Sequence, residues 1–230
     1  MESPGLKETL NAILGKPTFW LVALGASVAS FVGYATFVWG AAYFIRNFDL
    51  APTIAEETLL VSYFSAFIIG IAASIGTIVG GRLVDRFGAK DIRAYVTIPA
   101  IALILAVPLN ILGLSVNDAF LAAAIVLIPT FLGSMWYGPL FGVVQNLVEP
   151  QMRAMAVAIL FFILNLIGLG GGPTIAGMLS DYFTVSHGPA LGLRYSLMAV
   201  CAIGVLAGAI IWCARFTIAK DMAARTEAKG

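Results

Sequence analysis

The 230-residue sequence is 60% hydrophobic and only 11% charged, with a mean hydropathy of +0.98. Soluble domains are roughly 45–50% apolar and ~25% charged, and a chain this poor in charge cannot cover a surface that faces water. A formal net charge of +1 gives no reason to expect a nucleic-acid partner.

Residues 1–17 carry Leu6, Leu10, Ile13 and Leu14 at helical spacing among Glu2, Lys7, Glu8 and Lys16. This pattern predicts a short amphipathic linker helix on the cytoplasmic membrane surface. A signal peptide would put a continuous apolar core there instead. A bilayer core ~30 Å thick needs about 20 apolar residues per helix. Six runs within 18–216 meet that length: 18–45, 58–84, 92–114, 119–148, 152–180 and 192–216. The fold class is therefore an all-α membrane protein, a bundle of six transmembrane helices embedded in a lipid bilayer.

Charges mark the separators. Arg46, Asp49, Glu56 and Glu57 lie in the first loop, Arg82 to Arg93 in the second, and Asn117 and Asp118 in the third. Glu149 to Arg153 form the fourth and Asp181 to Arg194 the fifth, and 217–230 read as a polar cytoplasmic tail. With this topology eleven of the 13 basic residues fall on one side, leaving Arg46 and Arg194 on the other. Basic residues favour the cytoplasmic side, so both termini are expected in the cytoplasm, with the protein in the plasma (inner) membrane.

Pro99, Pro108, Pro129, Pro139 and Pro173 sit inside these runs, where neighbouring helices can satisfy the carbonyls they free. Small residues repeat four apart at Gly25, Ala29 and Gly33, at Gly76 and Gly80, and at Gly168 and Gly172, a spacing that lets helix backbones approach closely. Cys201 and Cys213 share one run about three turns apart, ~18 Å along a helix, which is too far to bridge.

The second loop carries the most specific pattern, Gly-Gly-Arg-Leu-Val-Asp-Arg-Phe-Gly-Ala-Lys-Asp-Ile-Arg from Gly80 to Arg93. Gly88 is expected to supply the left-handed backbone of a tight turn. Asp85, at a helix end, suits free amides or the positive end of a neighbouring helix. The fifth run starts on the same side just after Pro150, with Arg153 in its first turn. Asp85 is therefore expected to contact that helix start and Arg153 as a conformational latch. A purely topogenic basic loop needs no aspartate or glycine at fixed spacing.

This loop resembles the cytoplasmic signature found in each half of the major facilitator superfamily, between a half's second and third helices. Gly81, Asp85, Arg86, Gly88, Lys90 and Arg93 match, and Ala89 stands where the family often has a basic residue. The flanks resemble the carboxy-terminal half. Leu6 to Trp20 looks like the end of the central linker and the entry to the seventh helix. The fifth run, with Arg153, Ala154, Asn165, Gly168, Gly172-Pro173, Gly177 and Ser180-Asp181, resembles the eleventh. It is similar in particular to Spinster-like members, a branch associated with lysolipids and sphingosine phosphate. The resemblance implies one half of a major facilitator fold, working by alternating access with an amino-terminal six-helix half. That half would be part of the same longer chain, a separate chain or a second copy.

Cavities in such a fold lie between the two halves near the bilayer midplane. Faces that mix aromatic and small polar groups are the candidates: Ser27, Phe31 and Tyr34 in the first helix, then Tyr63, Phe67, Gly70 and Ser74 in the second. The fourth offers Thr130, Ser134, Tyr137 and Phe141, and the fifth Phe161, Asn165 and Gly168. An amide at mid-helix such as Asn165 needs a partner inside the bundle, either substrate or a neighbouring helix. No Asp, Glu, Lys, Arg or His falls in the central part of any predicted helix. Proton-coupling groups would thus belong to the other half, and this half would provide a neutral, aromatic wall. Such a wall suits a small organic or lipid-like amphipathic solute.

Enzymatic readings fail on residue types. His187, the single histidine, lies in an outer loop beside Gly188 and Pro189, and the sequence has neither a His-Glu-x-x-His helix nor a phosphate loop. No catalytic residue, metal ligand or cofactor is expected. A non-transporting membrane subunit, or an inactive fragment of a longer transporter, is the alternative.

Overall fold

The computed structural model describes residues 5–48, 56, 59, 63 and 70–227. Its helices are α1 (Leu6–Leu14), α2 (Pro17–Phe48), α3 (Ser74–Gly88), α4 (Ala94–Ser115), α5 (Ala119–Ser134), α6 (Tyr137–Leu147), α7 (Arg153–Leu164), α8 (Gly170–Cys213) and α9 (Ile218–Glu227). A π-helical turn at Asn165–Leu169 joins α7 to α8. Among the described residues, Pro17–Phe48, Ala94–Ser115, Ala119–Leu147 and Pro150–Phe216 are long and apolar enough to cross a membrane.

The last of these runs is 67 residues long and crosses twice. Ser196 Oγ donates to the Ala176 carbonyl at 2.5 Å, whereas twenty residues of unbroken helix would hold them ~30 Å apart. The reversal is at Gly188, whose φ of 79° is a left-handed conformation that L-residues with a Cβ adopt at a cost. Pro189 follows, with φ already set for a helix start. The expected polar loop at 181–194 is therefore helical except at this residue, because the helix ends extend past the apolar core. Together with α3, the described end of the second predicted span, these elements make the six-helix bundle.

The fourth span is broken where a single helix was expected. α5 stops at Ser134 and α6 starts at Tyr137. Pro139 has no N–H for the Met135 carbonyl four residues back, and loss of that bond breaks a helix. The neighbouring α3 uses the break, since a Cβ on Gly80 would collide with Met135 backbone. One turn earlier Gly76 sits equally close to the backbone of Phe131. Gly168 and Gly172 press likewise on Ser30 and Phe31, and Gly25 on Ile211. Gly33, by contrast, has open space beside it.

The main core joins Phe19, Val22 and Ala26 of α2 to Val96 and Ala100 of α4, Leu140 and Leu147 of α6, Leu160 of α7 and Ile211 of α8. Large apolar side chains also cover the outside, for example Phe120, Phe162 and Val185, as lipid contact demands. The end pieces pack into the same core. Ile13 of α1 and Ile218 of α9 are fully buried in it, while Leu6 and Leu14 stay exposed. Lys16 Nζ donates to the Leu147 carbonyl at the end of α6, a favourable place for a cation. The Asp221 carboxylate accepts from Thr18 N–H at 2.9 Å and so caps the start of α2. Thr18 and Thr217 hydroxyls are 2.7 Å apart.

Candidate substrate cavity

A cavity of about 320 Å³ opens between α2, α4, α5, α6 and α8. Its polar side chains are those of Ser30, Tyr34, Thr36, Tyr43, Asn110, Thr130, Ser134, Tyr137 and Cys201, and among the described residues no charged side chain lines it. Several hydroxyls are already engaged within their own helices. Thr36 Oγ1 donates to the Val32 carbonyl at 2.9 Å, Thr130 Oγ1 to Val126 at 2.7 Å, and Ser134 Oγ to the Thr130 carbonyl. The wall is thus mostly apolar. The Tyr34 and Tyr43 hydroxyls donate to Asn165 Oδ1 at 3.2 Å and to the Leu114 carbonyl at 3.0 Å, which leaves the Tyr137 hydroxyl and the Asn110 amide as its main free hydrogen-bonding groups.

Of the residues expected to form a substrate site, Tyr34, Ser134 and Tyr137 line this cavity. Asn165 stands beside it. Its Oδ1 accepts from Tyr34 at 3.2 Å and its Nδ2 donates to the Phe161 carbonyl at 2.8 Å. The amide therefore has partners from two helices and also opens the π-helical turn, a distortion often found at functional sites. Ser27 lies elsewhere, fully buried with Oγ on the Ala23 carbonyl at 2.7 Å. Phe31 packs against Gly171 and Gly172. Tyr63 is helical and 71% exposed, and Phe67 lies outside the described residues. Asn110 was missed from the sequence, although the reasoning applied to Asn165, an amide inside an apolar run, would have found it. Cys201 and Ser30 give no such signal, because small residues at these positions also read as packing.

The basic loop is built differently from expectation. Gly88 is not left-handed; Gly188 is the one described glycine with positive φ. Right-handed residues close the turn, with Lys90 and Asp91 N–H both donating to the Phe87 carbonyl. Gly88 is instead small because the Tyr95 ring lies where its Cβ would be. The same tyrosine donates its hydroxyl to Asp85 at 3.0 Å, bridging the ends of α3 and α4. The Arg93 N–H donates to Asp91 at 3.0 Å. Arg86, Lys90 and Arg93 are exposed, and Gly81 has nothing near its Cβ position. In this conformation Asp85 pairs with Tyr95 rather than Arg153, whose partly buried Nε has no hydrogen-bond partner among the described residues.

The model of the Major Facilitator Superfamily matches residues 2–173. An MFS-type efflux pump of Mycolicibacterium smegmatis is 28% identical over 212 residues, covering 91% of this chain and 47% of the pump. Protein spinster homolog 1 of Xenopus tropicalis is 25% identical over 224 residues, covering 92% of this chain and 43% of that protein. A crystal structure of a bacterial homolog to the human lysosomal transporter Spinster, inward-facing and unoccupied, superposes with a TM-score of 0.83 at 25% identity. It covers 96% of this chain and 53% of that one. The chain thus spans about half the length of the relatives it matches.

Proposed function

The chain belongs to the Major Facilitator Superfamily, and on that premise we propose that it is the carboxy-terminal six-helix half of a secondary active transporter. It works by alternating access with an amino-terminal six-helix partner, in the plasma (inner) membrane, with both termini cytoplasmic. The cargo is a small organic or lipid-like amphipathic solute. One observation carries this reading: a cavity of about 320 Å³ with apolar walls, tyrosine, threonine and asparagine polar groups, and no charged side chain among the described residues that line it. Such a lining accepts an apolar body and a few hydrogen bonds and gives an inorganic ion no counter-charge. Native mass spectrometry of the complex extracted in mild detergent tests the half-transporter reading. A second six-helix chain, a longer polypeptide or a homodimer is expected; a lone monomer without transport favours an inactive subunit or fragment.

The basic loop supplies the latch. In this reading Gly81, Asp85, Arg86, Gly88, Lys90 and Arg93 hold the loop, and Asp85 exchanges Tyr95 for Arg153 when the transporter changes state. The unbonded Nε of Arg153 and the single side-chain partner of Asp85 support this exchange. Asp85→Asn keeps an acceptor for Tyr95 and removes the charge that Arg153 needs. The expected result is a fall in transport of roughly tenfold, the scale of one charge-assisted pair, with an unchanged melting temperature. Wild-type transport by Asp85→Asn sinks the latch.

A further inference from the structure

Arg215 lies in the turn Ala214–Phe216, where the last apolar span ends. Its guanidinium carbon is 4.7 Å from the Trp212 ring centre and 5.2 Å from that of Phe216, so two aromatic faces hold the group. Nε is buried without a partner, and no hydrogen bond or ion pair joins Arg215 to another described residue. Asp221 is nearby in sequence, but its carboxylate caps Thr18. Arg194, at the opposite end of the same span, shares the unpartnered Nε but places its terminal nitrogens on partners, Nη1 on Asn117 at 3.0 Å and Nη2 on the Val116 carbonyl at 3.4 Å.

A guanidinium partly removed from water without an anion is costly, and aromatic faces offset only part of that cost. Its planar fork matches the paired oxygens of a phosphate. Trp212 and Phe216 stand beside it, Phe216 being 72% exposed, and aromatic residues at a span's end sit at the level of lipid headgroups. The required ligand therefore combines a phosphate oxyanion with an apolar body. We propose that Arg215, Trp212 and Phe216 form a binding site for the phosphate of an anionic phospholipid in the adjoining leaflet. The site is separate from the cavity and independent of what the cavity carries.

The test uses the detergent-extracted complex, titrated in native mass spectrometry with dioleoylphosphatidylglycerol, dioleoylphosphatidylcholine and inorganic phosphate. The wild type is expected to bind phosphatidylglycerol about fivefold more tightly than phosphatidylcholine, the scale of one basic residue at a charged surface. Arg215→Gln should remove this preference. Arg215→Lys should fold normally and keep part of it, since the charge survives without the fork. Equal affinity for the two lipids in the wild type, or an undiminished preference in Arg215→Gln, overturns the proposal. Displacement of phosphatidylglycerol by millimolar inorganic phosphate also overturns it, by assigning the group to a soluble anion.

Discussion

Gly133→Leu is expected to reduce transport at least tenfold while leaving the bundle folded. Gly133 lines the cavity, and a Cβ built there meets no atom within 4 Å. The new side chain enters open space, and the open space beside it is the cavity. A leucine side chain puts four carbons into a cavity of about 320 Å³. Stability should hold or rise, because replacing a helical glycine with a strong helix former is worth ~1 kcal/mol. Gly142→Leu is the matched control, since it too meets nothing within 4 Å but lies outside the cavity wall. The measurement is efflux of ethidium and of a fluorescent lysophosphatidylcholine from proteoliposomes holding the complete transporter, alongside the melting temperature. If Gly133→Leu exports both probes at the Gly142→Leu rate, this cavity is not on the transport path.

Gly76→Val is expected to stop the bundle from assembling. Even the first carbon of the new side chain would lie within 3.1 Å of the Phe131 Cα and inside the contact radius of its carbonyl oxygen. A flexible side chain could move aside, but backbone cannot without parting the helices. Gly80 meets Met135 in the same manner, so α3 cannot tilt away from one contact while keeping the other. Overpacking of a core costs about 1–3 kcal/mol where neighbours can adjust, and here the cost should exceed ~3 kcal/mol. Gly76→Ala should lower the unfolding midpoint in mixed micelles, and Gly76→Val should yield no monodisperse protein. Gly81→Ala provides the contrast, with nothing within 4 Å of the added methyl, and is expected to be as stable as the wild type. Equal stability of Gly76→Ala and Gly81→Ala would show that α3 and α5 do not pack through these residues.

These two glycines also show where reading a sequence stops. The four-residue repeat at Gly76 and Gly80 and the signature residue Gly81 are adjacent and chemically identical. Only the placement of α5 and α6 separates a glycine pressed against backbone from one beside open space. Gly88 and Gly188 repeat the point. Both precede turn-like segments, yet Gly88 is small for the sake of the Tyr95 ring, while Gly188 takes the positive φ that reverses the chain. Tyr34 and Tyr137 reach the cavity, and Ser27, on the same helix as Tyr34, turns back onto its own backbone. Seven residues, about two turns of helix, separate Ser27 from Tyr34 on one face, and periodicity alone does not say which of them reaches the cavity.

By itself the sequence determined the membrane class, the number of spans, the loop signature and hence the family. Each follows from local quantities: the length of an apolar run against bilayer thickness, the scarcity of charge, and residue spacing within one loop. The tertiary structure decided which residues meet across the bundle. It docked α1 and α9 into the core, joined Asp221 to Thr18 and Asp85 to Tyr95, broke the fourth span at Met135–Trp136, and brought Asn110 to the cavity. In lipid, helices associate through backbone approach and a few polar contacts rather than a general pull away from solvent. Those contacts join residues up to about two hundred positions apart, and only the packed bundle selects them.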